Sequence, residues 1–153
     1  MEVEIKKIQS VTNIHLDLLL LADPSIEKIK EYLIDSEIYT ALINDETIGI
    51  IIIKEIDHLK KEIMNVAVKE EHQNKGLGKK LINFVINIEK NNGTKIIEIG
   101  TGNSSINQLL LYQKIGFRIA SIERDFFSRN YQEVIIENGI ICKDMIKLSI
   151  EYK

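Results

Sequence analysis

Apolar residues follow two different rhythms along this chain, and the changes between them mark its elements. Val3, Ile5 and Ile8 alternate imperfectly with charged residues over Glu2 to Ile8, the period of a half-buried strand. Asn13 to Ala22 is leucine-rich, and after Pro24-Ser25 the residues Ile26, Ile29 and Leu33 recur at spacings of three and four, so two helices are predicted. Ile38 to Ile43 and Thr47 to Ile56 are β-branched runs separated by the polar turn Asn44-Asp45-Glu46, a hairpin signal. Asp57 to Lys61 is a second polar turn, leading to a strand over Glu62 to Val68. From Gly76 to Lys90 the rhythm becomes helical, with Leu77, Leu81, Val85 and Ile88 on one stripe, and Asn91-Asn92-Gly93 stops it. Beyond lie a strand over Lys95 to Ile99, a helix over Ser104 to Ile115 closed by Gly116, and a strand over Phe117 to Phe126. A looser connection over Ser128 to Gly139, able to reach over a site, leads to a last strand over Ile140 to Tyr152. The pattern is α+β: two helices and an antiparallel meander, then alternating strands and helices.

Composition narrows this picture. The chain has 153 residues, 44% hydrophobic and 28% charged, without internal repeats and with a single proline, so one domain spanning 1–153 is expected. The apolar runs Leu18 to Ala22 and Ile48 to Ile53 are too short to cross a bilayer, and the first residues lack the basic start and apolar stretch of a signal peptide. The lone cysteine, Cys142, has no internal disulfide partner and reads as a small buried hydrophobe; a cytoplasmic protein is expected. The net charge of −3 argues against nucleic acid or an anionic membrane as partner, so any anion site must be local. His15, His58 and His72 are scattered without ligand spacing, and no metal is expected.

A local anion site is present in outline over Asn65 to Lys80. There a β-branched strand passes through a polar loop into a helix with two glycines, Gly76 and Gly78, at its start. A helix N-terminus offers unpaired amides and the positive end of the macrodipole, and glycine lets that backbone approach a phosphate closely. Lys75, Lys79 and Lys80 would oppose the dipole in an empty site, a penalty that a bound pyrophosphate reverses. Two other nucleotide motifs fail on these residues. The P-loop needs glycine where Gln73 stands, and the dinucleotide fingerprint needs glycine or alanine where Leu81 stands.

Val66-Ala67-Val68 followed by Gln73-Asn74-Lys75-Gly76-Leu77-Gly78 resembles the acetyl-coenzyme A signature Q/R-x-x-G-x-G/A of the GCN5-related N-acetyltransferases. About forty residues on, Leu111-Tyr112-Gln113-Lys114-Ile115-Gly116-Phe117 resembles their second signature, L-Y-x-x-x-G-F. The resemblance implies a central, mostly antiparallel sheet of six to seven strands, splayed between strands 4 and 5 and flanked by about four helices. It implies that the backbone of Val66 and Val68 pairs with the pantetheine arm, with Ala67 between them among the cofactor-binding residues, and that Gln73, Asn74, Lys75, Gly76, Leu77, Gly78 and Lys79 hold the pyrophosphate. The Val68 amide would serve the oxyanion and Tyr112 would protonate the departing thiolate. Glu62 matches the general base by position, with Glu98 as the alternative. Where many members carry an asparagine that contacts the cofactor, this chain has Ser105; Asn103 and Asn107 flank it as candidate contacts, and Asn103 with Ser104 also reads as a helix N-cap. Arg124 and Asp125 fall where an acceptor pocket would be lined.

The function implied is transfer of acetyl from acetyl-coenzyme A to a primary amine by direct attack, on a small-molecule or peptide acceptor. The competing reading is a cofactor-binding sensor or subunit that has lost catalysis. Apolar strand edges near Ile140 to Leu148 suit a homodimer.

Overall fold

Tight turns with left-handed residues shape the first half of the fold. In the computed structural model, which describes residues 2–153, the chain divides into two compact units, Met1–Thr94 and Lys95–Lys153, so the division falls between the fourth and fifth strands.

The first unit contains β1 (Glu4–Ile8), α1 (Asn13–Ala22), α2 (Ile26–Leu33), β2 (Ser36–Ile43), β3 (Glu46–Glu55), β4 (Lys60–Val68) and α3 (Leu77–Asn91). Its four strands are antiparallel in the order β1-β2-β3-β4. The hairpin turn joining β2 to β3 has only two residues, Asn44 and Asp45, both left-handed (φ 49° and 65°), the arrangement whose twist suits adjacent strands. Between β3 and β4 the Asp57 carboxylate accepts from the amides of Leu59 and Lys60 at 2.8 and 3.0 Å. Helix α2 starts at Ser25, whose hydroxyl accepts from Lys28 N at 3.3 Å.

Both faces of this sheet are covered. Leu18 and Leu19 of α1 and Ile29 of α2 pack with Ile38, Ile50, Ile52 and Ala67 on one face. Leu81, Ile82, Val85 and Ile86 of α3 are buried as well, and α3 lies against the other face at Gly49, where a Cβ would sit 3.1 Å from Leu81 Cδ1. The β3–β4 register carries a bulge: Asn65 pairs with Ile52 but Ile63 pairs with Ile53, leaving Met64 as the surplus residue. Below the bulge Glu62 stands opposite Lys54, on the α1 and α2 face, and Lys61 opposite Glu55, on the α3 face. There Lys61 Nζ lies 2.9 Å from Glu89 Oε1 and 2.8 Å from Glu37 Oε1. Thr94 Oγ1 donates to the same Glu89 oxygen at 2.9 Å. On the opposite face the buried Asn65 donates to Leu19 O and Tyr32 Oη, at 3.0 and 2.9 Å, tying both helices to β4.

The second unit contains β5 (Ile96–Gly102), α4 (Ile106–Ile115), β6 (Arg118–Glu123), α5 (Phe126–Asn130), a hairpin of β7 (Ile136–Glu137) and β8 (Ile140–Ile141), and β9 (Met145–Glu151). The strands run antiparallel in the order β5-β9-β6, with Ile97, Ile99, Phe117 and Leu148 buried. Cys142 is buried as expected, against Gly102, and burial pushes its thiol pKa up.

The expected fold class holds, with seven main strands and, where about four were expected, five helices among the described residues. Three local expectations are corrected. The connection over Ser128 to Gly139 contains the end of α5 and the start of a hairpin turning on Asn138 and Gly139, both left-handed. The last strand begins at Met145 rather than Ile140. It is flanked by β5 on one edge and β6 on the other, so the dimer edge expected over Ile140 to Leu148 is not open along β9.

Candidate active site

The phase of the β3–β4 ladder decides what the end of β4 offers. Lys69 N–H donates to Ile48 O at 2.7 Å. Hydrogen-bonded pairs alternate in an antiparallel ladder, so Ala67 (opposite Ile50) and Asn65 (opposite Ile52) direct their amides at β3, while Val66 and Val68 turn theirs away. Of the three residues singled out from the sequence, Val66 and Val68 thus face their amides away from β3 and Ala67 faces its amide toward it.

After β4 the chain makes a single 3₁₀ turn, Glu70–His72, and then the loop Gln73 to Gly76. Gln73 Nε2 donates to Val68 O at 2.9 Å, tying the loop back to the strand end. Asn74 (φ 62°) and Gly76 (φ 80°) are both left-handed, which turns successive amides toward a common concavity. Gly76 is the N-cap of α3, and a Cβ there would meet nothing within 4 Å. Glycine is thus required by backbone conformation, and the space beside it is open. The helix's first bond runs from Lys80 N to Gly76 O, so the amides of Leu77, Gly78 and Lys79 have no acceptor within the helix. Lys75, Lys79 and Lys80 are exposed around this helix start. Free amides, the positive end of a fifteen-residue helix and three ammonium groups with an open approach fit a polyanionic ligand such as a pyrophosphate.

Tyr112 lies in the second unit, on α4, 5% exposed, its ring centroid 6.3 Å from that of Phe117. Burial pushes its phenol pKa up to about 12. Glu62 and Glu98 are both half-buried strand residues with polar partners of their own. Asn103 is committed to its own unit: Oδ1 accepts from Lys143 N and Asp144 N at 2.7 and 2.9 Å, and Nδ2 donates to Ile141 O at 3.1 Å. Asn107 is exposed in the first turn of α4. The N-cap of that helix is Ser105 rather than Asn103 or Ser104, and its hydroxyl donates to Glu137 Oε1 at 3.0 Å instead of capping the helix. Arg124 and Asp125 are exposed, Arg124 O accepting from Arg129 and Asp125 opening α5. Sequence reasoning missed the tie from Gln73 to Val68 O, because nothing local says that a side chain five residues on will fold back onto the strand. Among the described residues no cluster of three His, Cys, Asp or Glu is placed to hold a metal ion, and no helix is long and apolar enough to cross a membrane.

Comparison with known proteins gives concordant matches. Residues 35–119 match the family described as an acetyltransferase (GNAT) domain. The chain is 53% identical to YvbK of Bacillus subtilis, described as an uncharacterized N-acetyltransferase, over 135 residues, 88% of this chain and 87% of YvbK. A GNAT family acetyltransferase from Elizabethkingia anophelis, solved with acetyl-CoA bound, superposes with a TM-score of 0.94 at 49% identity, covering 98% of both chains. A Bacillus subtilis acetyltransferase in complex with CoA gives a TM-score of 0.94 at 47% identity, over 99% of this chain and 100% of the other.

Proposed function

The chain belongs to the GNAT acetyltransferase family, and from that premise we propose that it moves an acetyl group from acetyl-CoA to a primary amine of a small molecule or peptide by direct attack. The observation that carries this reading is the run from Val66 to Lys79: a strand end with outward amides, a loop with two left-handed residues, and an open helix start.

Acetyl-CoA, when bound, supplies an activated thioester. The amides of Leu77, Gly78 and Lys79 bind the pyrophosphate, with Lys75 and Lys79 adding charge, while Gln73 and Asn74 hold the loop in shape. Val66 and Val68 bond the pantetheine arm as an added strand would. The Val68 amide donates to the thioester oxygen as it gains negative charge; one preorganised donor of this kind is worth about 3 kcal/mol. Gln73 engages the Val68 carbonyl at 2.9 Å and so fixes the strand end that carries this amide. Asn107, rather than the committed Asn103, is the asparagine of α4 available to the cofactor.

Tyr112 is the proposed donor to the departing thiolate. With the phenol at about 12 and a thiol near 8.5, complete proton transfer is uphill by roughly 3–4 units. Tyr112 therefore acts by hydrogen-bonding the developing charge, with solvent as the final proton source. Glu62, with Glu98 as the alternative, takes a proton from the substrate ammonium through water, and the neutral amine so formed attacks the thioester. The single buried cysteine fits a cytoplasmic setting.

The test is calorimetric titration with acetyl-CoA beside matched titrations with ATP and NAD, followed by an amine screen for thiol release. Selective acetyl-CoA binding with amine-dependent thiol release supports the reading. Binding without release for any amine favours the silent sensor, and no binding removes the cradle.

A further inference from the structure

Strand β6 is left bare to a degree that a monomer does not explain. All six residues of Arg118–Glu123 are exposed. β9 pairs with one edge, and among the described residues no strand pairs with the other. Ile119 and Ile122 are 53% and 58% exposed. In a regular strand two residues three apart face opposite ways. Here the ladder skips Ala120, so Ile119 stands opposite Leu148 and Ile122 opposite Ile146, and both isoleucines share one face. A protein that needed only to blunt this edge would put lysine or proline there.

The sequence of the strand says what covers it. Arg118-Ile119-Ala120-Ser121-Ile122-Glu123 is nearly palindromic in chemistry. Laid antiparallel on an identical strand, with the two-fold axis between Ala120 and Ser121, Arg118 meets Glu123 of the second copy and Ile119 meets its Ile122. Both contacts then occur twice, as an isologous interface requires. Within the chain Glu123 already accepts from Arg129, at 2.8 Å through Oε2, but both side chains are more than half exposed and Oε1 remains for a second cation. The geometry points to a two-fold homodimer in which β6 docks antiparallel on β6 of a second copy. Unrelated peptide strands fit less well, since only the chain itself repeats the complementary order of charge and apolar residues.

Sedimentation velocity over a dilution series of the full chain tests this. The wild type should reach dimer mass. Ile122→Arg should weaken association at least about tenfold, the scale of losing a central apolar contact, with unchanged far-ultraviolet circular dichroism. Arg118→Glu should also weaken it by setting like charges opposite, and Arg118→Glu combined with Glu123→Arg should restore association. A wild type that stays monomeric at every concentration overturns the proposal, as does a dimer that survives Ile122→Arg. Because β6 supplies nothing to the cofactor cradle, acetyl-CoA affinity in these variants should be unchanged, and that measurement stands or falls separately from the proposed transfer reaction.

Discussion

Replacing Lys61 with methionine should cost the protein far more than its place near a strand end implies. The Glu89 side chain is 0% exposed, and that of Lys61 is 14% exposed. Removing one partner of a buried pair leaves an uncompensated charge, typically at a cost of about 3–5 kcal/mol. Thr94 Oγ1 continues to donate to Glu89, which places the expected loss near the lower end, about 3 kcal/mol. Glu37 adds little, since it is one-third exposed and keeps Lys7 at 3.2 Å. Burial alone would raise the Glu37 carboxyl, but the Lys61 and Lys7 ammonium groups outweigh it and hold its pKa below the ordinary value. Burial would likewise lower the Lys61 pKa, and the two carboxylates raise it instead. A lowered carboxyl stabilises above its unfolded pKa and a raised ammonium below its own, so the network contributes between roughly pH 4.5 and pH 10.5. The assay is thermal unfolding at neutral pH, where about 3 kcal/mol in a chain of this size appears as roughly 6–12 °C. The double variant Lys61→Met/Glu89→Leu should recover most of the loss, because a well-packed apolar pair replaces a buried ion pair at little cost. A loss under about 1 kcal/mol for Lys61→Met, or a double variant no better than the single, would refute the reasoning.

Other perturbations probe the site and the first helix. Gly78→Glu should abolish acetyl-CoA binding by setting a carboxylate among the helix-start amides, and wild-type affinity by calorimetry would remove the cradle from this place. Tyr112→Phe should cut kcat by about tenfold or more while leaving cofactor affinity nearly intact; because the phenol is pushed up to about 12, no alkaline fall in kcat below about pH 10 should trace to Tyr112, so wild type and variant should keep a constant ratio there. His15 Nδ1 accepts from Thr12 N at 3.0 Å, and burial lowers its pKa, so the unfolded chain takes the proton first. Stability from this cap should be complete above about pH 6.5 and fade below it, by about 1 kcal/mol, while His15→Gln, which preserves a capping acceptor, should flatten that slope; an unchanged slope in the variant sinks the assignment.

Elements with strong local chemistry were readable from the residues. The leucine-rich run and the Ser25 cap gave α1 and α2 at Asn13–Ala22 and Ile26–Leu33, and the glycine-lysine helix start marked α3 because the same groups that make an anion site also break a strand. The hairpin turning on Asn138-Gly139 was missed: the Asn-Gly pair is a turn signal, but the two-residue strands beside it are too short for periodicity to register. The expected strand from Ile140 merged β8 with β9 because Cys142 to Asp144 carries no glycine or proline to punctuate it. Two features had no local sign at all. Lys61, Glu37 and Glu89 meet only through tertiary packing, and the orientation of the Val66 and Val68 amides depends on ladder phase, set from the far strand by Ile48.

Met64, the surplus residue of β4, gives this strand a spare place in its count. Remove it and the ladder can close with Asn65 still opposite Ile52 and Ile63 still opposite Ile53, so Lys61 goes on facing Glu89. Remove Ala67 instead and every residue on one side of the gap changes face: Asn65 loses the two helices it ties down, or the strand end loses its outward amides. Tolerance to shortening in β4 is therefore concentrated at one point, and relatives one residue shorter in this strand should have their gap at Ile63 or Met64 and keep Val66 to Val68 in frame.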